Sequence, residues 1–87
     1  AEGWNKRATL YYLVGNTDAS IEDIKRTLEL EPRHFGALSG LGLVYLQQGK
    51  LALAEEAFLQ LITVHPNSPS AQDNLRLVRK QRAVNVI

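Results

Sequence analysis

The sequence predicts an all-α fold, an α-solenoid in which antiparallel helix pairs stack and one further helix caps the C-terminal end. Three observations support this prediction. The chain of 87 residues repeats its pattern of residue types with a period of 34. Each copy has a glycine and then a proline at the places where two successive helices must end. A further apolar helical stripe follows the second copy. About five helices are therefore expected.

The repeat is seen when residues 1–34 are superimposed on residues 35–68. The identical pairs are Tyr11 with Tyr45, Gly15 with Gly49, Glu22 with Glu56, and Pro32 with Pro66. The pairs that keep their size class are Trp4 with Leu38, Ala8 with Gly42, Ser20 with Ala54, and Ile24 with Phe58. The order of these matches predicts two helical hairpins.

The first hairpin is predicted to consist of helices near residues 2–14 and 18–30. Ala8 is small at the expected crossing of the two helices, so their backbones can approach closely. Gly15 should stop the first helix, because glycine is the usual residue just past a helix end. Pro32 should end the second helix, since proline cannot continue it.

The second hairpin is predicted near residues 35–48 and 52–64, with Gly42 at its crossing. The repeat does not explain Gly36 and Gly40, each of which weakens a helix by roughly 0.5–1 kcal/mol. Either this weakness is tolerated or a ligand backbone approaches that face closely. A dinucleotide-binding loop is disfavoured, because no third glycine follows at the required spacing and no strand precedes it.

A fifth helix is predicted over residues 69–83, followed by a tail over residues 84–87. Ser68 is a good N-cap and Pro69 suits the first helical position. The apolar stripe of this helix consists of Ala71, Leu75 and Val78. We expect this stripe to cover the apolar edge that the second hairpin leaves open.

These residues resemble the tetratricopeptide repeat (TPR), a 34-residue unit with the pattern W-x2-L-G-x2-Y, A-x3-F and P. The second copy reads Leu38-x2-Leu41-Gly42-x2-Tyr45, then Ala54-x3-Phe58, then Pro66. The first copy reads Trp4-x2-Arg7-Ala8-x2-Tyr11, then Ser20-x3-Ile24, then Pro32, and departs from the pattern at Arg7 and Ser20. The resemblance implies two TPR repeats with right-handed superhelical stacking, and a noncatalytic scaffold for protein–protein interaction.

The resemblance also implies a concave groove, formed by the first helix of each unit, that binds an extended peptide or a partner helix. Its expected residues are Asn5, Thr9 and Tyr12 in the first unit, Gly36, Ser39, Leu43, Leu46 and Gln47 in the second, and Asp73, Leu77 and Lys80 in the last helix. Thr9, Tyr12, Leu43 and Leu77 lie off the stripes that hold the hairpins together. They are either groove residues or inert, partly exposed side chains.

Some family members use a carboxylate clamp of lysine and asparagine to bind chaperone C-termini. At the clamp positions this chain has Asn5, Thr9, Gly40, Ser70 and Asn74. The clamp lysines and arginine are missing, so the sequence disfavours a chaperone tail as ligand. It favours a peptide with apolar anchors or another protomer.

No catalytic, cofactor-binding or metal-ligating set is recognised. Cysteine is absent, and His34 and His65 lie in separate inter-repeat linkers. The net charge of +1 predicts no nucleic-acid binding, although the last helix is basic. Its cations are either solvated or face an acidic partner. The longest uncharged stretch, residues 35–49, is shorter than the roughly 20 residues that span a bilayer, so no membrane insertion is expected.

Two functions therefore remain open: a scaffold that binds a partner in the groove, or a structural module that docks on another repeat or protomer. An apolar stripe that includes Leu10 and Val14 predicts weak self-association as a homodimer. We expect the chain to be the C-terminal fragment of a longer soluble protein. The sequence leaves its compartment open between the cytoplasm and, if a signal peptide was removed, export.

Overall fold

A computed structural model describes residues 2–85, with the side chains of all except Glu2, Trp4, Asn5 and Asn85. Within these residues the chain forms helices joined by short turns, and no strand. The helices are α1 (Glu2–Leu13), α2 (Thr17–Leu30), α3 (Phe35–Gln47), α4 (Leu51–Val64) and α5 (Pro69–Asn85). The predicted all-α helical repeat fold is confirmed. The last helix continues to Asn85, past its predicted end, and residues 86 and 87 of the predicted tail lie outside the described part.

The helices stack in chain order. α1 packs against α2 and α3 against α4, which gives the two predicted hairpins. α2 then packs against α3, and α4 against α5, so each hairpin supports the first helix of the next unit. α1 and α3, the first helices of successive hairpins, touch only slightly and leave space between them.

Glycine ends the first helix of each hairpin, as predicted. Gly15 and Gly49 have φ values of 82° and 76°, in the left-handed region that suits glycine. The Asn16 N–H donates to the carbonyl of Tyr11 at 2.8 Å, and the same bond follows α3. This Schellman arrangement satisfies carbonyls that the helix end would otherwise leave unpaired.

Side chains in the linkers cap the helices that follow them. Nδ1 of His34 accepts a hydrogen bond from the Ala37 N–H at 3.0 Å. One repeat later, Oγ of Ser68 accepts from the Ala71 N–H at 3.4 Å, so the predicted N-cap of α5 is confirmed. Histidine and serine thus perform the same local role at equivalent positions.

Small residues allow the two helices of each hairpin to approach closely. A Cβ atom placed on Gly42 would lie 2.5 Å from Cε1 of Phe58, closer than real Cβ contacts allow. In the first hairpin Oγ of Ser20 donates to the carbonyl of Ala8 at 2.8 Å. The departure from alanine at position 20 is therefore accommodated, because the buried hydroxyl has an acceptor.

Two apolar clusters hold the stack together. One lies where the first hairpin meets α3, and its buried members are Ala8, Ile24, Ala37 and Val44. The other lies where the second hairpin meets α5, and its buried members are Leu38, Ala54, Phe58, Leu61, Ala71, Leu75 and Val78. The predicted stripe of α5 is therefore in the core.

The positions of α5 that align with the hairpin-packing residues of α3 are polar. The residues that align with Leu38, Gly42 and Tyr45 are Gln72, Arg76 and Arg79, and all three are exposed. At these positions the first helix of a hairpin packs against the second helix of the same hairpin. At these three positions the described part of α5 therefore lacks the apolar side chains on which the second helix of a hairpin packs.

Candidate peptide-binding groove

A depression of about 330 Å³ lies between α1 and α3. Because these helices touch only slightly, the space between them is open down to α2. Its floor is formed by buried residues of the first apolar cluster, Ala8, Ile24 and Val44. The other lining residues are Thr9, Tyr12, Leu13, Ser20, Phe35, Gly36, Ser39, Gly40 and Leu43. We call this space the α1–α3 depression.

Several residues predicted for the groove line this depression. They are Thr9 and Tyr12 on α1, and Gly36, Ser39 and Leu43 on α3. α1 and α3 present equivalent faces because each is the first helix of its repeat. Residues one repeat apart, such as Thr9 and Leu43, therefore lie on opposite sides of the same space.

The remaining predicted residues are not brought into the depression. Leu46 is half-buried and packs against the cluster that contains Phe58, while Gln47 is exposed near the end of α3. Asp73, Leu77 and Lys80 are exposed on α5 and do not line the space. The side chain of Asn5 lies outside the described residues. The α1–α3 depression thus gathers predicted residues from two units, and a groove that extends over the third unit stays a prediction.

Two apolar residues at the rim were missed by sequence analysis. Leu13 is 71% exposed and Phe35 is 38% exposed. Leu13 follows Thr9 by one helical turn, so the spacing i, i+4 is the signal that would have found it. The Phe35 ring also meets the His65 ring edge-on, with the centroids 4.7 Å apart. This contact helps to hold Phe35 at the rim.

The structure shows no steric requirement for glycine at position 40. A Cβ on Gly40 would lie 3.5 Å from Cδ1 of Ile24, an ordinary van der Waals contact. Glycine at this position therefore leaves the depression wider than alanine would. Gly36 lines the same space. Both interpretations of these two glycines therefore stay predictions.

The chemistry of the depression is apolar with a few hydroxyl groups. Among its described lining residues none carries a charge, and the polar groups come from Thr9, Tyr12, Ser20 and Ser39. Gly40 occupies a clamp position of the family and supplies no side chain. The lining can accommodate an apolar side chain, but it offers no cation to neutralise a terminal carboxylate.

The basic residues of α5 are largely paired within the chain. Nε of Arg79 lies 3.0 Å from Oε2 of Glu55, and Arg82 bonds to the other oxygen of the same carboxylate. Arg76 pairs with Asp73 at 3.1 Å. The hydrogen bond from Arg79 is the main cause that holds the pKa of Glu55 below its ordinary value. The two contacts with Glu55 tie α5 to α4, which favours a structural interpretation of the basic helix.

Other candidate chemistry is not assembled in the described part of the chain. No group of three or more histidine, aspartate and glutamate side chains there is arranged to hold a metal ion. His34 instead caps α3, and His65 contacts Phe35. None of the five described helices combines the length and apolar character that crossing a membrane requires.

Comparison with known proteins gives consistent results. The family model described as Tetratricopeptide repeat matches residues 5–71. A TPR repeat-containing protein of Rhizobium etli is 38% identical over 85 residues, which cover 98% of this chain and 42% of that protein. The DnaJ homolog subfamily C member 3 of Rattus norvegicus is 32% identical over 62 residues, or 71% of this chain and 12% of that protein.

A solved structure has the same fold. It is the first TPR of Spaghetti (RPAP3) bound to the HSP90 peptide SRMEEVD, and it superimposes with a TM-score of 0.88 at 21% identity. The superposition covers 92% of this chain and 64% of that one. The chain thus spans about two fifths of the Rhizobium etli relative and less than two thirds of the solved neighbour.

Proposed function

Because the chain belongs to the tetratricopeptide repeat family, we propose that it is a noncatalytic protein-interaction module that binds an apolar segment of a partner in the α1–α3 depression. The family model and the matching relatives describe repeat proteins and indicate no enzyme family. The single observation that carries the proposal is the uncharged lining between Thr9 and Leu43, with Leu13 and Phe35 exposed at its rim.

The dimensions of the depression suit a side-chain anchor. Its volume of about 330 Å³ lies at the lower end of the range of roughly 300–1,000 Å³ that is typical of small-molecule sites. This space can hold one or two large apolar side chains. The glycines at 36 and 40 leave the backbone of α3 accessible, so a partner's backbone can approach while its side chain enters.

The partner proposed here differs from that of the solved neighbour. That domain was solved with the acidic HSP90 peptide SRMEEVD. The lining of the α1–α3 depression supplies no lysine or arginine among its described residues. A carboxylate there would lose water without gaining a counter-ion. We therefore propose peptides whose recognition depends on leucine or aromatic anchors rather than on a C-terminal carboxylate.

Selection from a displayed random-peptide library tests this proposal. Isothermal titration with the selected peptides should give binding that Thr9→Arg weakens at least about tenfold, because the new side chain fills the depression. Thr63→Arg is the matched control, since Thr63 is exposed on α4 outside the depression. Peptides that bind both variants equally, or that require a free C-terminal carboxylate, would contradict the proposal.

A second candidate function is a structural module that docks on another repeat or protomer. The observation that favours it is the exposure of Leu10 and Val14 at 63% and 77%. A weak homodimer through this face is one form of the proposal. Sedimentation equilibrium over a wide concentration range tests it, with Leu10→Glu as the variant that should abolish self-association.

A further inference from the structure

The first helices of the second and third units, α3 and α5, each have a face that packs on the preceding unit, and α1 has the equivalent face. The positions concerned are Gly3, Leu10 and Val14 at α1, Ala37, Val44 and Gln48 at α3, and Ala71, Val78 and Arg82 at α5. Each residue lies 34 positions from its counterpart in the next unit. We call the residues Gly3, Leu10 and Val14 the upstream face of α1.

In α3 all three of these positions contact the first hairpin. Ala37 and Val44 are buried in the cluster that contains Ile24. Nε2 of Gln48 donates to Oγ1 of Thr17, at the start of α2, at 2.9 Å. The face of α3 is therefore an interface between one repeat and the next.

The same positions serve the same purpose in α5. Ala71 and Val78 are buried in the cluster that contains Phe58 of the second hairpin. Arg82 bonds to Glu55 near the start of α4. Two successive units thus use these register positions to dock on a preceding helical hairpin.

In α1 these positions are apolar and uncovered. Leu10 is 63% exposed, whereas its counterparts Val44 and Val78 are 1% and 0% exposed. Val14 is 77% exposed, and a Cβ on Gly3 would meet nothing within 4 Å. The upstream face therefore resembles an inter-repeat interface that lacks its other half.

Arg7 lies on the same side of α1, and its charge is paired within its own hairpin. Its guanidinium bonds to the Asp23 carboxylate, within the hairpin. It also lies over the Tyr11 ring, 5.9 Å from the centroid. The charge is thus directed toward its own repeat, and Leu10 remains accessible to an incoming helix.

We propose that the upstream face is a docking surface for a preceding helical hairpin of the same polypeptide. The hairpin would present the kind of edge that the first hairpin presents to α3 and the second presents to α5. Both of those connections are short, over residues 31–34 and 65–68, so covalent linkage holds each docked unit in place. This inference deepens the structural candidate function and does not depend on the groove.

A second copy of the chain does not offer the required edge. The downstream edge of the first hairpin is covered by α3, and that of the second by α5. The positions of α5 that align with Leu38, Gly42 and Tyr45 are polar. Two copies that meet through the upstream face would therefore pair like faces, a geometry that neither internal interface uses. A preceding hairpin is the occupant that reproduces the contacts seen twice within the chain.

The test adds a copy of residues 1–34 ahead of Ala1, because that hairpin holds α3 in this chain. The extended chain should have a thermal midpoint at least about 5 °C above that of the 87-residue chain. Leu10→Glu in the original first repeat should remove most of this gain. The same substitution should leave the thermal midpoint of the unextended monomer unchanged, since Leu10 is exposed there.

Leu30→Glu is the matched control, because Leu30 is 62% exposed and lies on α2. Leu30→Glu should change the thermal midpoint of the 87-residue chain and that of the extended chain by the same amount. The inference is overturned if the extension does not raise the thermal midpoint. It is also overturned if Leu10→Glu does not reduce the rise. If sedimentation instead detects a dimer that Leu10→Glu dissociates while the extension brings no gain, a second copy is the occupant. That result overturns this inference and leaves the structural candidate function standing.

Discussion

Arg7 bonds to both carboxylate oxygens of Asp23, with Nε 2.7 Å from Oδ2 and Nη2 2.8 Å from Oδ1. The pair joins α1 to α2, and Asp23 is buried while Arg7 is half exposed. The second repeat has Leu41 and Ala57 at the equivalent positions. An ion pair in one hairpin thus replaces an apolar pair in the other.

Removing one partner of this ion pair should destabilise the chain more than replacing both partners with apolar residues. Arg7→Leu leaves the buried carboxylate of Asp23 without its main donor, which is unfavourable. The double variant Arg7→Leu with Asp23→Ala reproduces the second hairpin and removes the buried charge as well. We expect a clearly lower thermal midpoint for Arg7→Leu and recovery of most of the loss in the double variant. Equal midpoints for the single and double variants would contradict this.

Acid should destabilise the fold through two carboxylates. The hydrogen bond from Arg7 lowers the pKa of Asp23 from its ordinary 3.8, and that from Arg79 lowers the pKa of Glu55 from 4.5. A carboxylate whose pKa is lower in the folded chain than in the unfolded chain stabilises the fold at pH values above its unfolded-state pKa. This contribution is lost as the pH falls through the folded-state pKa.

The midpoint should therefore be insensitive to these two groups above about pH 5 and fall progressively below about pH 4. Thermal melts by circular dichroism across this range measure the effect. Glu55→Gln should reduce the acid-induced loss, because its side chain does not titrate. An equally steep loss in Glu55→Gln would show that other groups cause it.

Gly42 and Gly40 provide a matched pair of helix-interior glycines. An added methyl group at Gly42 would collide with the Phe58 ring, whereas one at Gly40 would make an ordinary contact with Ile24. Gly42→Ala should cost about 1–3 kcal/mol through overpacking. Gly40→Ala should stabilise the chain by up to about 1 kcal/mol, because alanine favours the helix. Urea unfolding of both variants measures the difference, and the same sign for both would contradict it.

Local sequence signals predicted the fold because they act over short distances. Gly15 and Gly49 stop helices, and Ser68 caps one, through bonds to residues within one or two turns. The ion pair of Arg7 and Asp23 was not predicted. The two residues lie 16 positions apart on different helices, and neither fits the apolar pattern of the repeat.

The lining of the α1–α3 depression could be predicted only in part for a related reason. Register placed Thr9 and Leu43 on equivalent faces of α1 and α3, and both line the depression. The repeat register alone does not specify how deeply a helix is buried against the neighbouring helices. Leu46 therefore was expected in the groove but packs against the second apolar cluster. The exposed Leu13 was missed because it follows the predicted positions by one turn at the helix end.

Two neighbouring residues of α5 distinguish a capping helix from a mobile tail. Val78 is fully buried against the second hairpin, whereas Leu77 is 43% exposed. Val78→Asp places a carboxylate in the apolar cluster and should release α5 from α4, at a cost of several kcal/mol. Leu77→Asp should have a small effect, within about 0.5 kcal/mol, as is usual at exposed sites.

Thermal midpoints and binding of a hydrophobic dye measure both variants. The released helix should expose the apolar edge around Phe58 and increase dye binding for Val78→Asp alone. If both variants keep the parental midpoint, α5 is a tail, and its arginines would then need a function outside this fold.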